Sequence, residues 1–318
     1  MRKAVLIVLK AALSALLLYF ALDFVKVERV ANRLSGISAA WCVVAVAVLL
    51  VQSILAALRW RIILQECGGD LPVARVVRFT LIANFFSQVL PSSVGGDAAR
   101  IWLAGRDKNW RVAAYSVFLD RVVGVEALAI LVTLCLPWSL VLVRDPIGRV
   151  ALLASGLGVL AAGSIFIGLA SARLHILQRW IVTRHLAAVA KLGRSILLRA
   201  QAMAPLSALS IAVHLLSALV AWCAARATGA DLTFLDALIL VLPVILIATV
   251  PVSIAGWGVR ESAMVAAFSY AGLSAADGLL VSLLYGAGAL LIGILGGLIW
   301  VASSRPAERS MASPSPTE

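Results

Sequence analysis

Two turns that each combine proline, serine, glycine and arginine are the parts of this 318-residue chain best suited to bind a ligand. They span residues 90–100 and 250–261, and both fit the pattern Pro-x-Ser-[Val/Ile]-x-Gly-x-x-x-Arg without a gap. Proline breaks a helix because it lacks an amide hydrogen, and glycine lets the backbone turn and approach a ligand closely. A new helix after each turn would present free amide groups and a positive dipole end to an anion. Arg100 and Arg260 are expected about one turn into these helices, where each guanidinium can bind a phosphate through two hydrogen bonds.

The sequence therefore predicts a phosphate site between the two turns. Its candidates are the prolines and glycines that shape the turns, the serines that can donate to a ligand oxygen, the two arginines, and ionisable residues nearby. The predicted substrate-binding residues are Pro91, Ser93, Gly95, Gly96, Asp97, Arg100, Asp120, Arg121, Glu126, Pro251, Ser253, Gly256, Gly258, Arg260 and Glu261. We expect no catalytic residues, metal or cofactor, because the histidines and cysteines are scattered and no acid-base cluster is evident.

The acids beside the arginines have two interpretations. Asp97 stands three residues before Arg100, a spacing that permits pairing on one helix face, and Glu261 directly follows Arg260. These pairs either neutralise each other and only lock the turns, or they take part in binding. The second interpretation is favoured because ionisable residues within a membrane are costly and usually functional.

Asp120, Arg121 and Glu126 lie in the next long apolar run. Asp120 and Arg121 either belong to the site or anchor their helix at the membrane interface. Glu126 lies deeper in the run and has no partner close in sequence. It is therefore either a proton site or the partner of one of the arginines.

Composition places the chain in the membrane. Hydrophobic residues make up 63% of it and charged residues only 13%, about half the share in a typical soluble domain. The net charge of +12 indicates basic cytoplasmic loops and attraction to anionic lipid headgroups. Nucleic acid is not an expected partner, because no basic soluble domain is evident.

Apolar runs near the length of about 20 residues that crosses a bilayer predict six full spans. They cover residues 4–22, 39–58, 112–136, 150–170, 206–225 and 279–302. The first run has a signal peptide as its alternative, although no convincing small-residue cleavage site follows. Between the spans we predict an interfacial helix at 23–38, an interface anchor at 59–61, a cytoplasmic stretch at 65–78 and an outer loop at 137–149. The acid-free stretch 171–205 is cytoplasmic; it forms either a helix on the anionic inner surface, with Arg173, Arg184 and Lys191 on one face, or only a topology signal.

The apolar runs that flank the turns are too short to span, which predicts two re-entrant helical hairpins. These runs cover residues 79–90, 237–250 and 261–271. On this count both termini are cytoplasmic, and the two hairpins enter from opposite sides. The repeat-like halves, about 59–135 and 206–300, would then form an inverted repeat, as in many transporters. The predicted fold class is an all-α polytopic membrane protein with a single domain over 1–302 and a disordered cytoplasmic tail over 303–318.

Three segments of the chain resemble the signature motifs of the lysylphosphatidylglycerol synthase transmembrane-region family, also called flippase-like. They are residues 84–100, the run Asp120-Arg121-Val122-Val123-Gly124, and residues 251–261. The resemblance covers the whole membrane part, from residue 1 to about 302. It implies a bacterial or archaeal inner-membrane protein tied to the movement of lipids or lipid-linked headgroups. Some members carry a soluble aminoacyl-transferase domain; this chain stops soon after its last predicted span, so we expect no synthase activity.

Two functions remain open at this point. The leading hypothesis is a lipid translocase whose cargo is an anionic or aminoacylated phospholipid or another lipid-linked phosphate, held between the turns by Arg100 and Arg260. The alternative is a non-transporting accessory protein of envelope-lipid, hopanoid or glycolipid biosynthesis, with the basic stretch 171–205 docking a lipid-modifying enzyme. A membrane enzyme acting on a lipid phosphate is not favoured, because no catalytic cluster is evident.

Overall fold

The computed structural model describes residues 2–25, 36–90, 94–107, 109–143, 145–169, 181–250 and 256–304. These residues form α-helices joined by short connections, with no β-strand among them, which confirms the predicted all-α class. The helices of this part of the chain are α1 (Arg2–Val25), α2 (Ala39–Glu66), α3 (Val73–Val89), α4 (Gly95–Asp107), α5 (Trp110–Leu142), α6 (Pro146–Leu169), α7 (Ile181–Leu197), α8 (Ala200–Thr228), α9 (Phe234–Ala248), α10 (Val259–Tyr270) and α11 (Ala275–Ser304).

Within the described residues, five helices are long and apolar enough to cross a membrane, so the chain is a polytopic membrane protein. They are α2, α5, α8, α11 and the part of α6 over Pro146–Ile165. They correspond to five of the six predicted spans. The remaining one, at residues 4–22, is helical within α1, but only its shorter apolar stretch Ser14–Asp23 is identified there. The count of six spans stays a prediction.

Helix α2 runs well beyond the predicted span end at residue 58, because its last two turns pack inside the protein. Trp60 is fully buried, and its indole Nε1 donates to the Ser116 hydroxyl at 3.1 Å. Arg59 is also buried and bonds to Asp120. The prediction that 59–61 anchors the helix at a lipid interface is therefore wrong for both side chains.

Two predicted connections are shorter than expected. Helix α5 passes through Pro137 to Leu142 and α6 begins at Pro146, so most of the predicted outer loop at 137–149 is helical. A proline within a membrane helix is tolerated where neighbouring groups satisfy the freed backbone. Helix α3 likewise begins at Val73, inside the predicted cytoplasmic stretch 65–78.

The helix packing repeats between the two halves of the chain. Helices α2, α3, α4 and α5 correspond to α8, α9, α10 and α11, and packed pairs in one half recur in the other. The contacts between the two halves correspond as well. Helix α3 packs on α11, and their equivalents α9 and α5 also pack on each other. The equivalent helices α2 and α8 run antiparallel: the Ser38 amide donates to the Ala227 carbonyl at 2.9 Å, and Gln52 donates to Ser217 at 2.7 Å. Equivalent helices that run in opposite directions are what an inverted repeat requires.

Each copy of the turn pattern is flanked by two short helices that pack on each other, α3 with α4 and α9 with α10. These helices have 17, 13, 15 and 12 residues, too few for a full crossing. The turns at residues 91–93 and 251–255 lie outside the described residues, and with them Pro91, Ser93, Pro251 and Ser253. The re-entrant character of the two hairpins stays a prediction.

Helix α7 is amphipathic, which fits the basic stretch predicted at 171–205. Val189 and Ile196 are buried against α2, α5 and α8, whereas Arg184, Lys191 and Arg194 are exposed. Arg173 lies outside the described residues. So do most of the predicted interfacial helix at 23–38 and the tail from residue 305, while Ser303 and Ser304 still belong to α11.

Candidate functional site

Five charged side chains from three helices form a buried ion-pair network after the first turn, here called the first cluster. It consists of Arg59, Asp97, Arg100, Asp120 and Arg121. Arg100 bonds to Asp97 at 2.5 Å and to Asp120 at 2.8 Å. Arg59 pairs with the other oxygen of Asp120 at 2.8 Å, and Arg121 with the other oxygen of Asp97 at 2.7 Å. Each aspartate thus bridges two arginines, and the predicted Asp97–Arg100 pair is present.

Helix packing explains how the first cluster assembles. Gly95 and Gly96 are the first residues of α4 and face α3, where a Cβ on Gly95 would lie 2.9 Å from the Phe86 carbonyl oxygen and one on Gly96 2.7 Å from that of Ala83. The close approach sets Asp97 and Arg100 beside α5. The Trp60 ring lies 5.1 Å from the Arg100 guanidinium carbon and holds it as a cation–π partner.

The first cluster carries a surplus positive charge, because three arginines face two aspartates. The Arg59 side chain is 9% exposed, and its Nη1 has no hydrogen-bond partner among the described residues. This Nη1 lies next to Gly124, where a Cβ would be 3.0 Å away. A buried guanidinium N–H without an acceptor is costly. The first cluster therefore has one more positive than negative side chain, and one buried guanidinium nitrogen without an acceptor among the described residues.

A smaller cluster follows the second turn, here called the second cluster: Trp257, Arg260, Glu261 and Ser282. Arg260 bonds to Glu261 at 2.6 Å, and Ser282 donates to the same carboxylate oxygen at 3.0 Å. Arg260 is stacked on Trp257 at 5.1 Å. Glu261 is fully buried and accepts the Gly258 amide at 2.7 Å, which caps α10. One arginine and one glutamate leave this cluster without net charge.

The helix start differs between the two halves, which corrects the predicted position of Arg260. Arg100 is the sixth residue of α4, about one turn in as expected, but Arg260 is only the second residue of α10. The reason is that Gly256 and Gly258 have φ of 81° and 85°, so the chain continues to turn up to Val259. As a result Asp97 and Glu261 both occupy the third position of their helices, although they do not align in the turn pattern.

The repeat extends into the helices that receive the two arginines, which the turn pattern did not reveal. Asp120 and Gly124 on α5 are matched by Ser282 and Gly286 on α11, with the same four-residue spacing. Asp120 accepts from Arg100 just as Ser282 accepts from Arg260, at 3.1 Å. Because a serine replaces the acid, the second cluster lacks the carboxylate that pairs with Arg59 in the first cluster.

A polar cavity of about 260 Å³ lies between the two halves, enclosed by α2, α3, α8 and α11. Its polar lining residues are Gln52, Ser53, Thr80, Asn84, Ser87, Gln88 and Tyr285. Asn84 donates to Ser53 at 3.2 Å, while the buried Thr80 hydroxyl has no partner among the described residues. Uncharged polar groups collected in this way within apolar helices are suited to a hydrated or polar ligand.

Neither cluster lines this cavity, but one lining residue lies next to each cluster. Ser87 lines the cavity and packs directly against Gly96, one residue before Asp97. Tyr285 lines it from α11, and its ring lies 5.6 Å from the Arg260 guanidinium carbon. The arginines themselves stand behind these residues rather than in the cavity wall.

Glu126 is not part of either cluster. Its carboxyl group packs against Gly163 of α6 and lines a different, mainly apolar cavity. None of the described arginines pairs with it, so the partner predicted for it is not among those residues. Asp120 and Arg121, by contrast, belong to the first cluster.

No curated protein matches the chain. The family model described as Lysylphosphatidylglycerol synthase TM region matches residues 7–297, nearly the whole chain. The matched region includes both turns, both clusters and the polar cavity between them. The chain therefore belongs to the lysylphosphatidylglycerol synthase TM region family.

Proposed function

We propose that this protein translocates a lipid with a phosphate headgroup across the cytoplasmic membrane of a bacterium or archaeon. The cargo is an anionic or aminoacylated phospholipid or another lipid-linked phosphate. The observation that carries the proposal is the polar cavity. It lies between two halves whose equivalent helices α2 and α8 run in opposite directions, and one of its lining residues lies next to an arginine-containing cluster in each half. Transporters with inverted repeats have their sites in this position.

The first cluster is the anion-binding end of the proposed path. Its surplus charge and the free Arg59 Nη1 favour a phosphate, and guanidinium groups recognise phosphate through paired, charge-assisted hydrogen bonds. Arg100 already has two acidic partners. When a phosphate takes the place of one of these aspartates on Arg100, that aspartate keeps a second arginine. Asp120 stays paired with Arg59, and Asp97 stays paired with Arg121.

The second cluster is the release end. It has no net charge, because Glu261 neutralises Arg260, so it holds a phosphate less strongly than the first cluster does. The weaker binding favours release of the headgroup there, while alternating access would come from movement of one half against the other around the cavity. In this proposal both termini and α7 are cytoplasmic, and the two hairpins are re-entrant.

The accessory function remains the second candidate, supported by α7. Its basic residues Arg184, Lys191 and Arg194 are exposed while its apolar face is buried. That surface suits anionic lipid headgroups or the acidic face of a lipid-modifying enzyme. In this alternative the protein holds a lipid for its partner and does not move it.

Transport by the purified protein distinguishes these functions. The wild-type protein is reconstituted in liposomes with headgroup-labelled phosphatidylglycerol, lysyl-phosphatidylglycerol or phosphatidylethanolamine, and label is bleached by a membrane-impermeant reductant. We expect the label of inner-leaflet lipids to become accessible for at least one phosphate lipid, and the recovered lipid to be chemically unchanged, since we propose no enzymatic step. Bleaching that stops at the outer leaflet for every lipid would favour the accessory function.

A further inference from the structure

A second cavity, of about 420 Å³, lies between α5, α6, α7 and α8. It shares no lining residue with the polar cavity. Its wall is almost entirely aliphatic, and it includes Ile130, Leu134 and Ile211, which are exposed on the outer surface of the helix bundle. The cavity therefore meets the face that a membrane protein turns to the lipid chains, and a hydrocarbon chain is the chemical group that fits it.

One ionisable residue, Glu126, lines this apolar cavity. Its carboxyl group packs on Gly163 so closely that a Cβ there would overlap it. No described residue donates a hydrogen bond to Glu126 or forms an ion pair with it. An acid in such surroundings is costly unless a partner compensates its charge.

A second polar group in the same wall also lacks a partner. Ser210 is 1% exposed, and its hydroxyl has no hydrogen-bond partner among the described residues. It lines the cavity from α8, whereas Glu126 lines it from α5. A half-buried carboxylate and a buried hydroxyl can both accept hydrogen bonds from a cationic donor. An anionic group would be repelled by Glu126, and a neutral chain would leave both groups unpaired.

We propose that this cavity binds a lipid-like amphiphile that carries a primary ammonium group, with the ammonium at Glu126 and Ser210 and the hydrocarbon chain along the aliphatic wall. The proposal does not depend on translocation, because the site is separate from both clusters. Two kinds of natural lipid carry this chemistry, ethanolamine phospholipids and aminoacylated phospholipids.

The first test is binding of octadecylamine to the purified protein in nonionic detergent, measured by native mass spectrometry against 1-octadecanol of equal chain length. We expect one tightly bound octadecylamine and much weaker binding of octadecanol. E126Q keeps the size of the side chain but removes its charge. It should lower the affinity for octadecylamine about tenfold, which corresponds to roughly 1.4 kcal/mol of binding free energy. D70N serves as the control, because Asp70 is exposed in the connection between α2 and α3.

Gly163→Ala is a second variant that leaves the acid intact. The added methyl group occupies the position of the Glu126 carboxyl group, so it should displace the acid and weaken binding in a well-folded protein. Equal binding of octadecylamine and octadecanol to the wild type, or undiminished binding of octadecylamine to E126Q and Gly163→Ala, would overturn the proposal.

Competition then identifies the natural source. Phosphatidylethanolamine or lysyl-phosphatidylglycerol should displace octadecylamine, and whichever displaces it at the lower concentration is the better ligand. Phosphatidylglycerol has the same chains and no amine, and it should not compete. Displacement by neither amine-bearing lipid, or equally by phosphatidylglycerol, would also contradict the proposal.

Discussion

Replacing Arg100 with alanine is expected to slow lipid translocation at least about tenfold while leaving the fold intact. The expected loss reflects a charge-assisted phosphate contact, which contributes roughly 1.5–3 kcal/mol. The fold should persist because each acid keeps one arginine: Asp120 stays paired with Arg59 and Asp97 with Arg121. Removing Arg100 also abolishes the surplus charge of the first cluster. The measurement is the liposome assay, at equal protein content and with the elution profile of the folded protein verified.

Arg106→Ala is the matched control for this experiment. Arg106 lies on the same helix, α4, but is exposed and stacks on Trp102 at 4.8 Å, away from the acids of the cluster. We expect it to translocate lipid at the wild-type rate. R100K should lie between the two, because lysine keeps the charge but not the paired N–H groups. Wild-type translocation by Arg100→Ala would remove the first cluster from the transport path.

Asp120→Ala should be the most destabilising single change in the first cluster. The Asp120 side chain is 4% exposed and bonds to Arg59 and Arg100. Its loss leaves Arg59 buried without an acid, and breaking a buried ion pair from one side costs about 3–5 kcal/mol. The free energy of unfolding in mixed micelles, followed by tryptophan fluorescence, should fall by that amount.

The repeat supplies a matched comparison at Ser282, which stands where the first half has Asp120. Ser282→Ala removes a hydroxyl that bonds to Glu261 and Arg260, but the ion pair between those two residues remains. The expected loss is about 1–2 kcal/mol, the range for a buried hydrogen bond. Equal losses in Asp120→Ala and Ser282→Ala would mean that Asp120 does not hold the arginines together.

Local sequence patterns predicted those parts of the site that are near each other along the chain. The three-residue spacing of Asp97 and Arg100 predicts a pair on one face of a helix, and that pair is present. The repeated turn pattern suggested two related devices, and the helices that flank the turns do repeat in packing. The turn pattern did not predict where each arginine lies in its helix, since Arg260 is the second residue of α10 whereas Arg100 is the sixth residue of α4.

Contacts between distant helices could not be predicted in this way. Arg59 ends an apolar run beside Trp60, a pattern typical of an interface anchor, and only its bond to Asp120, 61 residues away, shows its place in the cluster. The polar cavity was missed for the same reason. Gln52 and Asn84 are single uncharged residues in separate apolar runs, and neither run alone indicates that they face one space.

The sequence also contains a second repeated spacing, which lies beyond the two turns and is not part of the turn pattern. Asp120 with Gly124, and Ser282 with Gly286, follow the two turns at similar distances. The glycines allow Arg59 and Arg260 to pack against the helix backbone, where a Cβ would crowd the guanidinium groups. An alignment of the two halves extended past the turns would have identified α11 as the acceptor of Arg260.

In the proposed function, the headgroup passes through the polar cavity between the two halves. The most direct test of this passage uses a functional variant without the native cysteines and with Ala289→Cys, since Ala289 lines that cavity on α11. The control is Leu298→Cys on the same helix, which is 63% exposed and outside the cavity lining. We predict that a bulky, membrane-impermeant thiol reagent modifies the cysteine at 289 and thereby stops lipid translocation, while the control variant keeps its rate after the same treatment. Undiminished translocation after complete modification at 289 would contradict the account.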